Sequence, residues 1–431
     1  MKQYKIIPLL VFTIVFIFGC ETKTKQITNA SDYDQYINVK GNKSLDFANE
    51  EIIFWQTKYD MAPNQSSYLG IIASKYATLF EYTGNIDYLY KTEELLTQSN
   101  EENNYSKVAT LCSLGRNFIA QHRFKEALIL ANKALVIGEG KNETQKLLFD
   151  VEMELGDFSA AEKNLKALKD MKDYDYLIRL AKWNDHIGDL ETAIGFMEKA
   201  RDIAEKEDNK VLKIWSYSNL GDFYGHAGRV QDSYDNYLKT LKLDPNYSYA
   251  LKGIAWIVFS YERNTKEAKR IVEAIEVTHN TPDFFLLKSQ IAQFEGNDKE
   301  AAKNEKAYFL MLKENNYGAM YNKYNTLIYA DEKENAAKAL EIAKIEVDHR
   351  PTPDSYDLLA WSYLNVGQHK KALEIAKAHV IGKSFEPKVQ YHLAMIYKAN
   401  NEMEKVEPIK KELLSSIYEL GPNFEKKVNQ L

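Results

Sequence analysis

Cysteine is nearly missing from this chain: Cys20 and Cys112 are the only two, so no disulfide framework holds the fold together. Proline and glycine are scarce too, nine and nineteen in 431 residues. The stretches between them are filled by Lys, Glu, Leu and Ala, the composition of an all-helical protein. Charge of neither sign is concentrated. Basic and acidic residues alternate at helical spacing around a net charge of −6, as on solvated helix faces. Nucleic-acid binding needs a clustered excess of Lys and Arg and is not expected. The signatures of catalysis are lacking as well. No two of the eight histidines stand three or four residues apart, so none forms a helical metal-ligand pair. There is no glycine-rich phosphate loop, Gly-x-Ser-x-Gly or Cys-x-x-Cys. Asp32-x-Asp34-x-Tyr36 opens like a calcium loop but puts tyrosine at the third ligand position. Cys112 has no histidine partner in sequence and reads as a small buried hydrophobe. No enzyme activity, metal or cofactor is expected.

What is there begins at the amino end. Lys2 and Lys5 lead into an uncharged apolar run over 6–19, suited to a signal-peptide core and short of the ~20 residues that span a bilayer. The run ends in Ile17-Phe18-Gly19-Cys20, followed by polar Glu21-Thr22-Lys23. This resembles the lipobox of bacterial lipoproteins. The resemblance implies that a signal peptide, 1–19, is removed and that Cys20 is lipidated, anchoring the chain to a membrane. Residues 20–43 are polar and poor in aliphatic side chains, and are expected to form a tether. Residues 44–64 are expected to hold a capped amphipathic helix packed on the fold that follows.

At 431 residues the chain exceeds what one hydrophobic core serves, and self-alignment resolves it into a repeat. Residues 214–247 read Tyr217-x2-Leu220-Gly221-x2-Tyr224, then Ser233-x3-Tyr237, then Pro245. Residues 108–141 answer with Leu111, Leu114, Gly115, Phe118, Ala127, Ala131 and Ala134. Residues 353–384 give Tyr356, Leu359, Ala360, Tyr363, Gly367, Ala372 and Ala376. Small residues at the eighth and twentieth positions let two short antiparallel helices, A and B, approach, and larger ones at i, i+3 and i+4 fill the space around them. Gly84, Gly156, Gly188, Gly228, Gly296, Gly367 and Asn401 fall where the chain turns between helices at positive φ. The twentieth-position residue recurs at 127, 161, 193, 233, 268, 301, 339, 372 and 406, which leaves no room for another domain. The longest step holds a charged insert, 205–210, expected as a solvated loop.

The pattern resembles the tetratricopeptide repeat (TPR). That resemblance implies an all-α, right-handed solenoid of about ten helical hairpins over 65–420, followed by a polar tail, 421–431. In this family ligands are held on the concave wall, at fixed positions of the A helices. Those positions here carry Trp215 and Asp222, Tyr249 and Trp256, Tyr321 and Tyr324, Asp357 and Trp361, then Lys388 and Tyr391. Toward the amino end they carry Arg116, Arg179 and Lys182. The reading is an aromatic-lined groove with a basic patch at one end, since aromatic rings supply contact area at little entropic cost. The alternative for each ring is packing between neighbouring repeats. The Lys-Asn-Asn-Lys-Arg clamp by which some members grip a terminal carboxylate is absent. The expected function is a lipid-anchored scaffold or adaptor in the bacterial cell envelope that binds protein or peptide partners. The alternative is a lipoprotein that captures a glycan or peptide for an outer-membrane transporter.

Overall fold

The computed structural model describes residues 26–431; the expected signal segment 1–19 and the lipidation site Cys20 lie outside the described residues. Among the described residues every regular element is helical, and no helix is long and apolar enough to cross a membrane. Two helices, α1 (Ala30–Ile37) and α2 (Lys43–Met61), precede ten A–B hairpins. These are α3 and α4 (Ser67–Thr83, Ile86–Glu102), α5 and α6 (Val108–Ala120, Phe124–Ile137), α7 and α8 (Lys141–Glu154, Phe158–Ala167), α9 and α10 (Tyr174–His186, Leu190–Lys206), and α11 and α12 (Lys210–His226, Val230–Leu243). They continue with α13 and α14 (Ser248–Trp256, Thr265–Glu276), α15 and α16 (Pro282–Phe294, Asp298–Glu314), α17 and α18 (Asn322–Asp331, Ala336–His349), α19 and α20 (Pro353–Asn365, His369–His379), and α21 and α22 (Pro387–Ala399, Val406–Ser415). Two short helices, α23 (Ile417–Leu420) and α24 (Asn423–Asn429), close the chain.

The hairpins form where the small residues allow them to. Ala127, Ala161, Ala193, Ser233, Ala268, Ala339 and Ala372 are all fully buried at the A–B contact. A Cβ on Gly221 would stand 2.5 Å from the Tyr237 ring of its own hairpin. One on Gly115 would meet Leu147 of the next hairpin at 2.8 Å, so the eighth position also sets the spacing between hairpins. All seven expected turn residues have positive φ, and in hairpins two and six His122 and Arg263 adopt the same conformation. The insert at 205–210 is not a loop: α10 continues to Lys206 and α11 starts at Lys210. Its Glu and Lys residues are strong helix formers, and the Asn209 side chain caps α11 by accepting from the Val211 and Leu212 N–H groups.

Successive A helices pack on one another, α5 on α7, α11 on α13, α17 on α19 and α19 on α21, so the A helices form the inner wall. The superhelix is wound tightly enough for its second turn to rest on its first. Gly156 has positive φ, and a Cβ there would lie 2.6 Å from the Pro351 carbonyl oxygen; Gly188 is held likewise against the Phe385 ring, at 2.8 Å. Only glycine meets both demands at these two turns. The Asn280 N–H donates to the Thr83 carbonyl across the same seam, at 3.1 Å. Arg350 pairs with Glu154 at 2.5 Å and Lys125 with Asp348 at 3.1 Å. Apart from Lys125 and Asp348, which stand 223 apart, the partners are about 195 residues apart, so five to six hairpins complete a turn.

Both ends depart from expectation. Residues 26–43 are not a tether: α1 lies across the outer helices α12 and α14, with Tyr33 fully buried. The Tyr33 hydroxyl donates to Glu267 at 2.8 Å, Asp34 pairs with Arg270 at 2.5 Å, and the Ile27 and Thr28 N–H groups donate to Glu262. Tyrosine and acid–base pairs do here what aliphatic side chains do elsewhere. Nor is 421–431 a free polar tail. Val428 and Leu431 are buried, because Phe424, Val428 and Leu431 recur at i, i+4, i+7 and present one apolar face to the last hairpin.

Candidate functional site

The inner wall is where the expected contact residues converge, and much of it is already engaged. The basic patch is neutralised. Arg116 pairs with Glu143 at 2.7 Å, Arg179 with Asp150 at 2.6 Å and Lys182 with Glu154 at 2.9 Å. Each cation on α5 or α9 thus meets a carboxylate on α7, and these pairs tie adjacent A helices together.

Two of the aromatic positions are packed inside the protein, and a third, Trp256, is half-buried. Trp361 and Tyr391 are buried. The His392 ring stacks on Trp361 with centroids 4.1 Å apart, and its Nδ1 is 2.7 Å from Asp357 Oδ2. Asp357 is buried too, and burial pushes its carboxyl above the usual range against the opposing pull of His392. Tyr391 meets the edge of Phe424 at 5.2 Å. Trp256 is covered by Gly421, whose missing Cβ would be 3.0 Å from the indole. These three side chains pack against the rest of the chain.

For Tyr391 and Trp256 the cover is the chain's own closing segment. The Ser260 hydroxyl donates to the Tyr418 carbonyl at 2.5 Å, from a π-helical turn, Ile257–Tyr261, that widens the end of α13. Glu419 lies 2.9 Å from His226, Arg263 meets Glu425 at 3.4 Å, and the Asn423 amide donates to the Gln290 carbonyl at 2.8 Å. Tyr418 lies beside Gly225, close enough that a Cβ there would meet its ring at 3.2 Å. α23 and α24 therefore occupy the wall made by α11, α13, α15 and α21.

What stays accessible is a smaller aromatic set. Trp215 is 37% exposed, Tyr249 49% and Tyr324 42%. Tyr249 and Tyr237 both donate to Asp222, each at 2.6 Å, and Tyr237 is wedged between Gly221 and Gly253. Burial raises the Asp222 carboxyl, while the two hydroxyls pull it back down. Tyr321 is half-buried among Tyr308, Tyr317 and Tyr324, with centroids 5.9, 5.1 and 6.0 Å away. Asp283 pairs with Lys252 nearby.

Two cavities open beside these residues. One, of about 400 Å³, lies in the seam between turns and is lined by His186, His226, Asp354, Glu386 and Glu419 among others. The larger, of about 1220 Å³, lies between α15, α17, the start of α21 and the closing segment. Among the described residues no group of three His, Cys, Asp or Glu side chains is placed to hold a metal. The expected contact set omitted Lys323 and Lys427, which line the larger cavity, although Lys388 beside them was read at a wall position. Nothing in the repeat pattern marks Lys427, because it comes from the closing segment.

No protein-family model matches the chain, and no curated protein matches it. Solved structures do. A structure titled as a functional characterization of Pseudomonas aeruginosa pilF is 17% identical, covering 48% of this chain and 90% of that one, with a TM-score of 0.36. A Rap protein complexed with competence and sporulation factor is 13% identical over 66% of this chain and 90% of that one, with a TM-score of 0.43. The APC/C hetero-tetramer Cut9-Hcn1 is 10% identical over 88% of this chain and 92% of that one, with a TM-score of 0.35. The hairpin architecture itself is carried by the helices of this chain and their order of packing.

Proposed function

We propose that this chain is a binding scaffold that holds a protein or peptide partner on the inner wall of a TPR-type solenoid. The observation that supports it most is the exposed set Trp215, Tyr249 and Tyr324. Rings left half in solvent on a wall whose other aromatics are covered are suited to a partner. The Tyr249 hydroxyl is already fixed by Asp222, so its ring is oriented before any partner arrives and loses little freedom on binding.

The lipobox-like Ile17-Phe18-Gly19-Cys20 supports placing this scaffold in a bacterial cell envelope, held to a membrane through acylated Cys20. Cys20→Ala is expected to move the full-length protein from the membrane fraction to the soluble one. Retention in the membrane would remove the anchor from the proposal and leave the binding surface intact.

The test of the surface is site-specific photo-crosslinking of the full-length protein in its native membrane. A benzophenone side chain at position 249 or 324 is expected to capture a discrete polypeptide, and the same group at Ile129 on the outer face is not. Capture only from position 129 would overturn the inner-wall reading. A saturable rise in melting temperature with a glycan panel, together with no captured polypeptide, would favour solute capture instead.

A further inference from the structure

We infer that the 1220 Å³ cavity is a binding site for an acidic peptide segment that also carries an apolar side chain. This rests on the scaffold reading and narrows its ligand. The cavity has two chemically different sides. Phe259, Phe294, Leu327 and Leu420 make an apolar one. Lys323, Lys388 and Lys427 make a basic one, drawn from three elements far apart in sequence: α17, α21 and α24.

Lys388 stands at the centre of the basic side. Its Nζ lies over the Phe424 ring, 4.4 Å from the centroid, and it forms no ion pair with any carboxylate among the described residues. Burial holds its amine down to about 8 against the pull of Asp331, and the like charges of Lys427 and Lys323 push the same way as burial. Four carboxylates also line the cavity, Glu305, Asp331, Glu332 and Glu425, and each already has a partner. Glu332 accepts from Asn335 at 2.5 Å. Asp331 is 3.7 Å from Lys427 and offsets part of its charge, and Glu425 pairs with Arg263. Glu305 accepts from Ser289 and Gln293, and Asp357 is held by His392.

This is unlike the treatment of other cations on the same wall. Arg116, Arg179, Lys182 and Lys252 each have a carboxylate in contact. Lys388 has none, and Lys323, exposed on the rim, has none either. An enclosed ammonium with no carboxylate in contact is unfavourable until a counter-charge arrives. An incoming Asp or Glu side chain supplies that charge where water is scarce, so the pair is stronger than one on the surface. A bare anion would leave the apolar side exposed to water. A peptide with an apolar residue beside the acid covers both sides at once, and the volume exceeds what a small anion fills.

The test uses the full-length protein and fluorescence anisotropy at pH 7 in low salt. The probes are labelled octapeptides alternating Glu with Leu, Glu with Ser, and Lys with Leu, with inorganic phosphate as competitor. The Glu–Leu peptide is expected to bind saturably and most tightly. Lys388→Met is expected to weaken it by about tenfold or more, as loss of one partner of an enclosed charge pair does. Lys323→Gln alters an exposed side chain, so it spares the fold and is expected to weaken binding less. The Glu–Leu peptide is also expected to slow acetylation of Lys388 in the unmodified protein, read by mass spectrometry. Equal binding of the Lys–Leu peptide would overturn the inference. So would acetylation of Lys388 unaffected by the peptide. Equal Glu–Ser binding with full displacement by phosphate would reduce the site to a simple anion site. Crosslinks from position 249 that persist while these peptides fail would keep the scaffold and remove this ligand.

Discussion

Single residues at the seam between superhelical turns make the sharpest tests. Gly188 and Gly367 occupy the same turn of different hairpins with φ of +85° and +80°, but only Gly188 touches the next turn, through Phe385. Alanine at either position incurs the left-handed conformational cost of roughly 1–2 kcal/mol. Gly188→Ala adds a clash worth about 1–3 kcal/mol. Urea unfolding should therefore rank Gly188→Ala as the more destabilising, by the size of that clash; equal losses would mean that the turns do not press on one another. His226 reports on the same seam. Burial opposes its charge, but Glu419 outweighs that, with help from Glu386 and Asp222, and the imidazole is raised to about 9. Asp185 also faces it. Because the folded value exceeds the ~6.5 of an unfolded histidine, the stabilisation is complete below pH 6.5 and lost as pH rises through 9. His226→Gln is expected to melt below the parent protein at pH 6, with the gap closing by pH 10. A gap that widened with pH would reverse the assignment.

At the level of elements, α1 and α24 separate what the sequence announces from what it hides. The hairpins were legible because each carries its own instructions: small residues at two fixed positions and a turn residue with positive φ. Their order along the chain was legible for the same reason. α1 and α24 hold no copy of that pattern; α1 packs on α12 and α14, about two hundred residues away, and α24 folds back on α22 and on the distant α15. Their helical signals were present nonetheless, Tyr33, Tyr36 and Ile37 in one and Phe424, Val428 and Leu431 in the other, but they were outweighed by polar composition. The contact residues divided in a similar way. Trp215, Tyr249 and Tyr324 are exposed, but position in helix A could not tell them from Trp361, which is covered by His392 of the next hairpin, or from Tyr391, which meets Phe424 of a segment that folds back from the end of the chain. If α1 is an integral part of the stack, Tyr33→Ala should cost about 3–5 kcal/mol, as for other fully buried rings. Tyr33→Phe, which removes only the hydroxyl bonded to Glu267, should cost about 1 kcal/mol. Chemical denaturation of the two variants checks both, and a negligible loss in Tyr33→Ala would return α1 to the status of a tether.

The molecule as a whole is not a simple linear stack. In an ordinary solenoid each repeat answers only to its neighbours, and stability falls in even steps as repeats are removed. Here Gly156 meets Pro351 and Gly188 meets Phe385, which couples hairpins three and four to hairpins nine and ten. Truncation after hairpin eight is therefore expected to lower hydrogen-exchange protection in two separate places: α17 and α18 beside the cut, and α7 to α9 on the other turn. Loss confined to α17 and α18 would show the seam to be passive.

The same seam decides how the chain would respond if it were pulled. An open superhelix lengthens like a spring, by small rotations between repeats that break nothing. A coil whose turns are latched by Arg350 on Glu154, by Lys125 on Asp348 and by the docked glycine turns cannot do so. It stays short and stiff until the latches open, then yields its length in one step while every hairpin is still folded.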